Sequence, residues 1–351
     1  KDVVQTVEFE DSAISAAAHR ALERPSDNAV ISTETSALES LTVTAEDGSI
    51  TSLADLKWFG GLKSIVLEGQ TDLDWSMLTT LTNLESLTLT DCKLTALDLA
   101  FLADMPNLKA VNLSKNQIAT LTAFESCPNL EELTLSENSI SDISSLGTLK
   151  SLKKLDLREN AVEDLSPLST VTTLESLILE DNIVSDITPL KQLPGLKELN
   201  LTRCSVDDIS ALSNSSSLEV LKLDYCTVDD ISPLAGCTAL RELYMSDNFI
   251  SDIAPVKSCT ALEILSMPSN RISAVPDLSG CSALREVYMS HNNISSVQGF
   301  VGMPALEKLD LDYNALTSVS ALSACPKLTA LYCFGMDVSD SAQLSGVTIY
   351  G

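Results

Sequence analysis

Hydrolytic chemistry needs a nucleophile, a base and an orienting acid, and the sequence offers one such trio. His291 directly follows Ser290, and Asp312 lies further along the chain. Serine, histidine and aspartate can together activate a hydroxyl group for attack on a carbonyl carbon. However, the sequence has no G-x-S-x-G motif, and the other histidine is His19, far away in the N-terminal segment. We therefore predict that the protein is not an enzyme.

Regularly spaced aspartates suggest a second kind of chemistry, the binding of a cation. They are Asp142, Asp164, Asp186, Asp208, Asp230 and Asp252, each 22 residues from the next. Carboxylate oxygens are the ligands that Ca²⁺ prefers, which makes Asp186, Asp208 and Asp230 candidate ligands. Alternatively, each aspartate accepts a hydrogen bond from the backbone of the turn that follows it. Since no EF-hand-like ligand string accompanies the aspartates, we favour this alternative and predict no metal site.

The composition of the chain and the motifs that it lacks exclude several other classes of protein. The chain has 22 basic and 49 acidic residues and a net charge of −27, so it would be repelled by nucleic acids and by anionic membranes. No apolar run is long enough to cross a bilayer. The sequence contains neither a Walker A loop nor a G-x-G-x-x-G or C-x-x-C motif, so we predict no cofactor.

All of these candidate residues lie within a repeated sequence pattern, and the structure of the repeat must determine their positions. A pattern of the form LxxLxL occurs fourteen times, with another apolar residue or Cys replacing some leucines. Its copies begin at Leu38, Leu62, Leu84, Leu108, Leu130, Leu152, Leu174, Leu196, Leu218, Leu240, Leu262, Leu284, Leu306 and Leu328. Eight copies add Asn at the ninth position. This is the signature of a leucine-rich repeat, in which each unit supplies a short strand and a helical turn.

Such units bury their leucines only by stacking, and stacking aligns the strands in a parallel sheet. The return segments carry Pro167, Pro189, Pro233 and Pro255, each suited to a short turn. We therefore predict an α/β solenoid, a leucine-rich-repeat horseshoe with a parallel concave sheet and 3-10-like turns on the convex side. Its parts are a helical N-terminal cap (1–37), fourteen repeats (38–335) and a C-terminal cap strand (336–351).

The cap begins with a predicted helix that Asp11 or Ser12 would N-cap and Pro25 would end. The nine cysteines fall in columns that are otherwise filled by apolar residues or Asn. We expect them to be buried thiols that contribute to the core and indicate nothing about the redox compartment. The recurring Asn should satisfy backbone groups where the chain leaves each strand.

Tyrosines mark a candidate binding surface. Five of the six tyrosines lie at concave positions of the last six repeats, although aromatic residues form only 4% of the chain. Exposed tyrosine is enriched at interface hot spots, although it also packs across neighbouring strands of an exposed sheet. The acidic neighbours of these rings favour a basic or polar partner. The predicted ligand-binding residues are Tyr225, Tyr244, Tyr288, His291, Asp310, Asp312, Tyr313, Tyr332 and Phe334.

The LxxLxLxxNxI and xDIxPL halves of the repeat, with the segments FEDSAISAAAHRAL and ISTETSALESLTV, resemble the bacterial internalin-like leucine-rich-repeat proteins. The resemblance covers nearly the whole chain. It implies an exported bacterial protein, secreted or at the cell surface, that holds another macromolecule on its concave face.

From the residues and this resemblance together, we predict a monomer that binds a protein, such as a host or cell-surface protein, mainly through its C-terminal half. A glycan is a less favoured ligand. One alternative is a structural spacer or assembly element at the cell surface. A more remote one is an intracellular regulatory subunit built from similar repeats, against which the N-terminal cap argues.

Overall fold

The computed structural model describes residues 4–351, and packing divides the chain into two compact units. Unit 1 is Lys1–Val162 and unit 2 is Glu163–Gly351. Each consists of parallel strands that alternate with 3-10 turns, and unit 1 also carries the two α-helices.

The N-terminal helix α1 (Ser12–Ala21) is capped as the sequence predicts. The carboxylate of Asp11 accepts hydrogen bonds from the backbone N–H groups of Ala13 and Ile14, at 2.9 and 3.1 Å. The helix ends at Ala21 and not at Pro25, because the chain turns at Glu23 with a φ of 55°. A second helix, α2 (Ser32–Thr35), leads into the first strand.

Two buried carboxylates attach this N-terminal segment to the first repeats. Asp11 accepts hydrogen bonds from the backbone N–H and the hydroxyl of Thr51, at 2.7 and 2.9 Å. Asp55, also buried, accepts from the backbone N–H groups of Glu10 and Asp11, at 2.9 and 2.8 Å. Burial by itself would raise the pKa of Asp11, but these hydrogen bonds and those of α1 outweigh burial and lower it. The N-terminal segment is thus joined to the repeats by charge-assisted hydrogen bonds.

The strands of each unit pair in parallel and in register. Those of unit 1 are β1 (Ser40–Val43), β2 (Ser64–Glu68), β3 (Ser86–Thr90), β4 (Ala110–Asn112), β5 (Glu132–Thr134) and β6 (Lys154–Asp156). Those of unit 2 are β7 (Ser176–Ile178), β8 (Glu198–Asn200), β9 (Val220–Lys222), β10 (Glu242–Tyr244), β11 (Ile264–Ser266), β12 (Glu286–Tyr288), β13 (Lys308–Asp310), β14 (Ala330–Tyr332) and β15 (Thr348–Tyr350).

Short 3-10 turns form the return segments. In unit 1 they are Ala45–Asp47, Ala54–Trp58, Trp75–Thr80, Ala96–Asp104, Thr122–Ser126 and Ser144–Thr148. In unit 2 they are Ser166–Thr170, Thr188–Gln192, Ser210–Leu212, Ser232–Gly236, Ala254–Ser258, Gln298–Phe300, Ser320–Ala324 and Ser339–Gln343. The predicted fold class, a solenoid of parallel strands and 3-10 turns, is confirmed.

The repeated asparagines play the predicted structural role. The side-chain oxygen of Asn116 accepts hydrogen bonds from the N–H groups of Cys92 and Leu94, both at 3.0 Å. Its amide nitrogen donates to the carbonyl groups of Leu89 and Leu113, at 2.8 and 2.9 Å. One side chain therefore satisfies backbone groups of two repeats, which would otherwise be buried without partners.

All nine cysteines are free and buried, as predicted. In the column that precedes the strands, each thiol contacts a carbonyl oxygen of the previous repeat. The thiol of Cys259 lies 3.4 Å from the oxygen of Leu234, and that of Cys325 lies 3.0 Å from the oxygen of Phe300. Burial raises the pKa of Cys259 to about 12, so this thiol stays protonated and acts as an apolar core group with a weak donor.

A ladder of alternating charge follows the first leucine of the first thirteen repeats, and we did not predict it from the sequence. Its members in unit 1 are Glu39, Lys63, Glu85, Lys109, Glu131 and Lys153, and in unit 2 Glu175, Lys197, Glu219, Arg241, Glu263, Arg285 and Glu307. Lys109 lies 2.8 Å from Glu85, and Arg241 lies 2.7 Å from Glu263. Single exposed ion pairs contribute little to stability, but the alternation disfavours any slip by one repeat, which would stack like charges.

Candidate functional site

The candidate site lies on the strand face of unit 2, by which we mean the side of its strands that points away from the leucine core. Side chains alternate between the two faces of a strand, so the residue between the second and third leucines of each repeat is on this face. Strand pairing places these residues side by side, about 4.8 Å apart. In order they are Lys222, Tyr244, Ser266, Tyr288, Asp310, Tyr332 and Tyr350.

Tyr288 and Tyr332 come together around a lysine. The Nζ atom of Lys308 lies 4.9 Å from the centre of the Tyr288 ring and 5.2 Å from that of Tyr332. Tyr332 also stacks on Tyr350, with ring centres 4.4 Å apart and planes 9° apart. Tyr350 was absent from the predicted site, although its place in the predicted C-terminal strand was a usable signal.

Carboxylates orient two of the tyrosine hydroxyls. The hydroxyl of Tyr288 donates to Glu286 at 2.6 Å, and that of Tyr244 donates to Glu242 at 3.0 Å. Burial and then the neighbouring Glu242 raise the pKa of Tyr244 to about 12. Both rings are therefore neutral at physiological pH and are held in place by hydrogen bonds.

His291, Tyr313 and Phe334 form a second ring cluster. The rings of His291 and Tyr313 stack at 4.5 Å with planes 17° apart, and Phe334 meets Tyr313 edge-on at 5.4 Å. Tyr313 and Phe334 expose 47% and 52% of their surface, so this apolar cluster is open to a partner. A side chain at Gly335 would begin 2.7 Å from the Tyr313 ring, so only glycine leaves room for the ring in this position.

Backbone strain accompanies this cluster. Tyr313 and His291 have φ values of 53° and 54°, in the left-handed region that disfavours residues with a side chain by about 1–2 kcal/mol. Tyr225 belongs to the same column, with a φ of 56°. Lys115, Glu137 and Glu159 of unit 1 have the same conformation at the equivalent position, so the strain belongs to the turn of the repeat and does not by itself mark a functional surface.

Not all of the predicted residues come together. Tyr225 lies four repeats from Tyr313, roughly 19 Å at the usual strand spacing, and packs instead with the guanidinium of Arg203 at 5.5 Å. Tyr244 packs with Lys222, whose Nζ atom lies 5.4 Å from the ring centre. The predicted site therefore consists of two ring clusters and two separate tyrosines.

Asp310 and Asp312 link the two ring clusters. Asp310 is half-buried and accepts the backbone N–H of Asp312 at 3.0 Å. Asp312 in turn accepts the backbone N–H of Phe334 at 2.6 Å. Burial raises the pKa of Asp310, although the hydrogen bond from Asp312 opposes this rise. In the described part of the chain, neither carboxylate takes part in an ion pair.

The aspartates of the return segments stabilise turns. Asp186 accepts a hydrogen bond from the backbone N–H of Thr188 at 2.8 Å. In the same way, Asp208 accepts from the N–H of Ser210 at 2.7 Å, and Asp230 from that of Ser232 at 2.8 Å. Hydrogen bonds from Thr188 lower the pKa of Asp186. Within residues 4–351, no group of three or more His, Cys, Asp or Glu side chains is arranged to hold a metal ion. This geometry is that of the Asx turn, the favoured interpretation of the sequence.

The corresponding column of unit 1 differs in chemistry. Its members are Thr42, Val66, Thr88, Asn112, Thr134 and Asp156, without an aromatic residue. The contrast shows that the repeat itself does not require a tyrosine at this position.

Comparison with known proteins agrees with the fold and the repeat. A family model described as leucine rich repeat matches residues 82–140. A second, described as leucine rich repeats (2 copies), matches residues 128–170, 172–214 and 216–258. A search of curated protein sequences finds no match. The chain is a leucine-rich-repeat protein.

Comparison with solved structures indicates which kind of leucine-rich-repeat protein this chain resembles. An internalin, inlF, of Listeria monocytogenes is 26% identical, with a TM-score of 0.82 over 92% of this chain and 95% of that one. A leucine-rich-repeat protein of Leptospira interrogans is 18% identical, with a TM-score of 0.74 over 91% and 97%. The plant peptide hormone receptor RGFR1, in complex with RGF2, is 18% identical, with a TM-score of 0.67 over 85% and 56%. Within its class, this chain is internalin-like.

Leucine-rich-repeat proteins of this kind mediate protein–protein interactions. No helix among residues 4–351 is long and apolar enough to cross a membrane.

Proposed function

We propose that the chain is a non-enzymatic bacterial protein, secreted or at the cell surface, that binds a protein partner through the strand face of unit 2. The aromatic surface of unit 2 carries this proposal. Six tyrosines with His291 and Phe334 cover a face whose counterpart in unit 1 has no ring in the matching column. Tyrosine combines a rigid aromatic area with a polar tip, and it is enriched at the hot spots of protein interfaces.

The likeness to an internalin supports an exported protein, and RGFR1, a peptide hormone receptor of similar fold, has been solved in complex with RGF2. The ring of His291 packs on Tyr313 and contributes to the aromatic surface. A catalytic base would need to lie within hydrogen-bond distance of the hydroxyl group that it activates.

The test compares two triple variants made at the same position of the repeat, one in each unit. Tyr244→Ala, Tyr288→Ala and Tyr332→Ala are combined in one protein. The matched control combines Thr88→Ala, Asn112→Ala and Thr134→Ala. Each immobilised protein is incubated with extracts of host cells and of bacterial surfaces, and its fold is checked by circular dichroism.

We expect the tyrosine variant to lose a protein that the wild type and the control both retain. Loss of two or three anchor rings at about 2 kcal/mol each would weaken binding by more than a hundredfold. Equal retention by all three proteins would contradict the proposal. It would favour instead a structural spacer whose strand face binds nothing tightly.

A further inference from the structure

Carboxylates outnumber cations on the strand face of unit 2. Its acidic residues are Glu180, Asp181, Glu198, Asp224, Glu242, Asp247, Glu286, Asp310 and Asp312, and its basic residues are Arg203, Lys222 and Lys308. The whole chain has a net charge of −27, so the field around this face attracts cations. A partner with positive charge would therefore associate faster than a neutral or acidic one.

The three basic side chains of this face all pack on tyrosine rings. Arg203 lies over Tyr225, Lys222 over Tyr244, and Lys308 over both Tyr288 and Tyr332, at 4.9 to 5.5 Å from the ring centres. A cation over an aromatic face is attracted by the electrons of the ring. These contacts show that four tyrosines of unit 2 present a ring face to a cationic group.

One place combines two such rings with a carboxylate. Strand pairing sets Asp310 directly between Tyr288 and Tyr332. Its carboxylate is half-buried and is fixed by the N–H of Asp312, whose own carboxylate is fixed by the N–H of Phe334. Two rings and two rigid carboxylates are the groups that recognise an ammonium or a guanidinium ion. In the free chain, Lys308 provides the cation over these rings.

We propose that the partner docks a basic segment here, with an arginine side chain that replaces Lys308 on Tyr288 and Tyr332 and pairs with Asp310 and Asp312. This inference rests on the proposed function and specifies the chemistry of the partner. Arginine fits better than lysine, because a planar guanidinium can stack on a ring while it donates two hydrogen bonds to a carboxylate.

The test measures the binding of labelled nine-residue oligo-arginine, oligo-lysine and oligo-glutamate peptides by fluorescence anisotropy at physiological ionic strength. Any acidic protein attracts a polycation, so variants of equal charge must be compared. Asp310→Asn with Asp312→Asn removes two charges at the proposed site. Asp208→Asn with Asp230→Asn removes two charges from the return segments, and both pairs preserve the shape of the side chains.

We expect the oligo-arginine Kd to rise about tenfold or more in the Asp310 and Asp312 variant, and less than about twofold in the control. Oligo-lysine should bind about threefold more weakly than oligo-arginine, and oligo-glutamate should not bind. Equal weakening by the two pairs would show general attraction only and would overturn the inference. Tighter binding of oligo-glutamate would also overturn it.

A second pair of variants tests the exchange of cations. Lys308→Met removes the resident cation from the rings, whereas Lys327→Met removes an exposed lysine outside the strand face. We expect Lys308→Met to bind oligo-arginine about fivefold more tightly than Lys327→Met does, since the incoming group no longer has to displace a cation. Equal affinities would contradict replacement of Lys308.

The outcomes also separate this inference from the proposed function. If the triple tyrosine variant loses its natural partner while the Asp310 and Asp312 variant keeps it, the aromatic face binds a partner that is not basic. In that case the inference fails and the proposed function stands.

Discussion

Alkaline pH should unfold this protein because of its buried thiols. From an ordinary value of 9.0, burial raises the pKa to about 11 in four cysteines and to about 12 in two. The first group is Cys92, Cys127, Cys204 and Cys237, and the second is Cys226 and Cys259. The unfolded chain releases these protons above about pH 9, whereas the folded chain keeps them. The thiols therefore make their full contribution to the free energy of unfolding below pH 9. This contribution is lost as the pH rises toward 11 and 12.

The size of the effect follows from these values. At pH 10 most thiols of the unfolded chain are ionised and most thiols of the folded chain are not. When a group is ionised only in the unfolded chain, the free energy of unfolding falls by about 1.4 kcal/mol for each pH unit. Each thiol should therefore lower the free energy of unfolding by about 1 kcal/mol between pH 8 and pH 10. Six thiols together should cost roughly 6–8 kcal/mol, a large part of the 5–15 kcal/mol that typically stabilises a domain.

Urea unfolding followed by circular dichroism, with a reductant present, measures this loss at pH 8 and pH 10. Replacing two thiols, with Cys237→Val and Cys259→Val, should reduce the loss by about 2 kcal/mol. Valine is suitable because Val171 occupies the same column of the repeat. Leu193→Val, also in this column, is the control, since it changes packing at both pH values equally. A double variant that loses as much stability as the wild type between the two pH values would refute this reasoning.

Three further predictions concern the repeat. Asn270→Ala should lower the free energy of unfolding in urea by about 3 kcal/mol, and Asn270→Cys by only about 1 kcal/mol, since the amide satisfies backbone groups of two repeats; equal losses would contradict this role. Lys109→Glu should lower the melting temperature more than Lys109→Met, because it sets a third carboxylate between Glu85 and Glu131, and equal melting temperatures would argue against the charge ladder. Ser269→Gly should stabilise by about 0.5–1 kcal/mol in thermal melts because it relieves a φ of 54°, whereas Ser266→Gly, within β11, should destabilise; a loss at both positions would show that the strain is not costly.

The fold could be predicted from the sequence because its determinants recur with a fixed period. Leucine and asparagine columns define which groups are buried and which backbone groups need partners, and Asn116 makes the expected contacts. The end of α1 was predicted less well. Pro25 marks a position that a helix cannot pass, but the chain had already turned at Glu23, a residue type without a strong preference for that conformation.

The grouping of the site residues could not be predicted, because it depends on side-chain conformation. Columns of the repeat placed Tyr288, Asp310 and Tyr332 on one face, but nothing in their spacing indicated that Lys308 would lie over both rings. The stacking of His291 on Tyr313 is of the same kind. The charge ladder, in contrast, can be read from the sequence by comparing every second repeat. Its period of two repeats hides it from a search for residues common to every repeat.

Photo-cross-linking tests most directly whether the strand face of unit 2 binds the partner. Benzoylphenylalanine replaces Tyr288 in one protein and Thr134, in the matching column of unit 1, in another. Each protein is irradiated with the partner that the wild type captures, and the products are identified by mass spectrometry. We expect a cross-link to the partner from position 288 and none from position 134. Cross-links from position 134 alone, or equal yields from both positions, would contradict a binding surface on the aromatic face of unit 2.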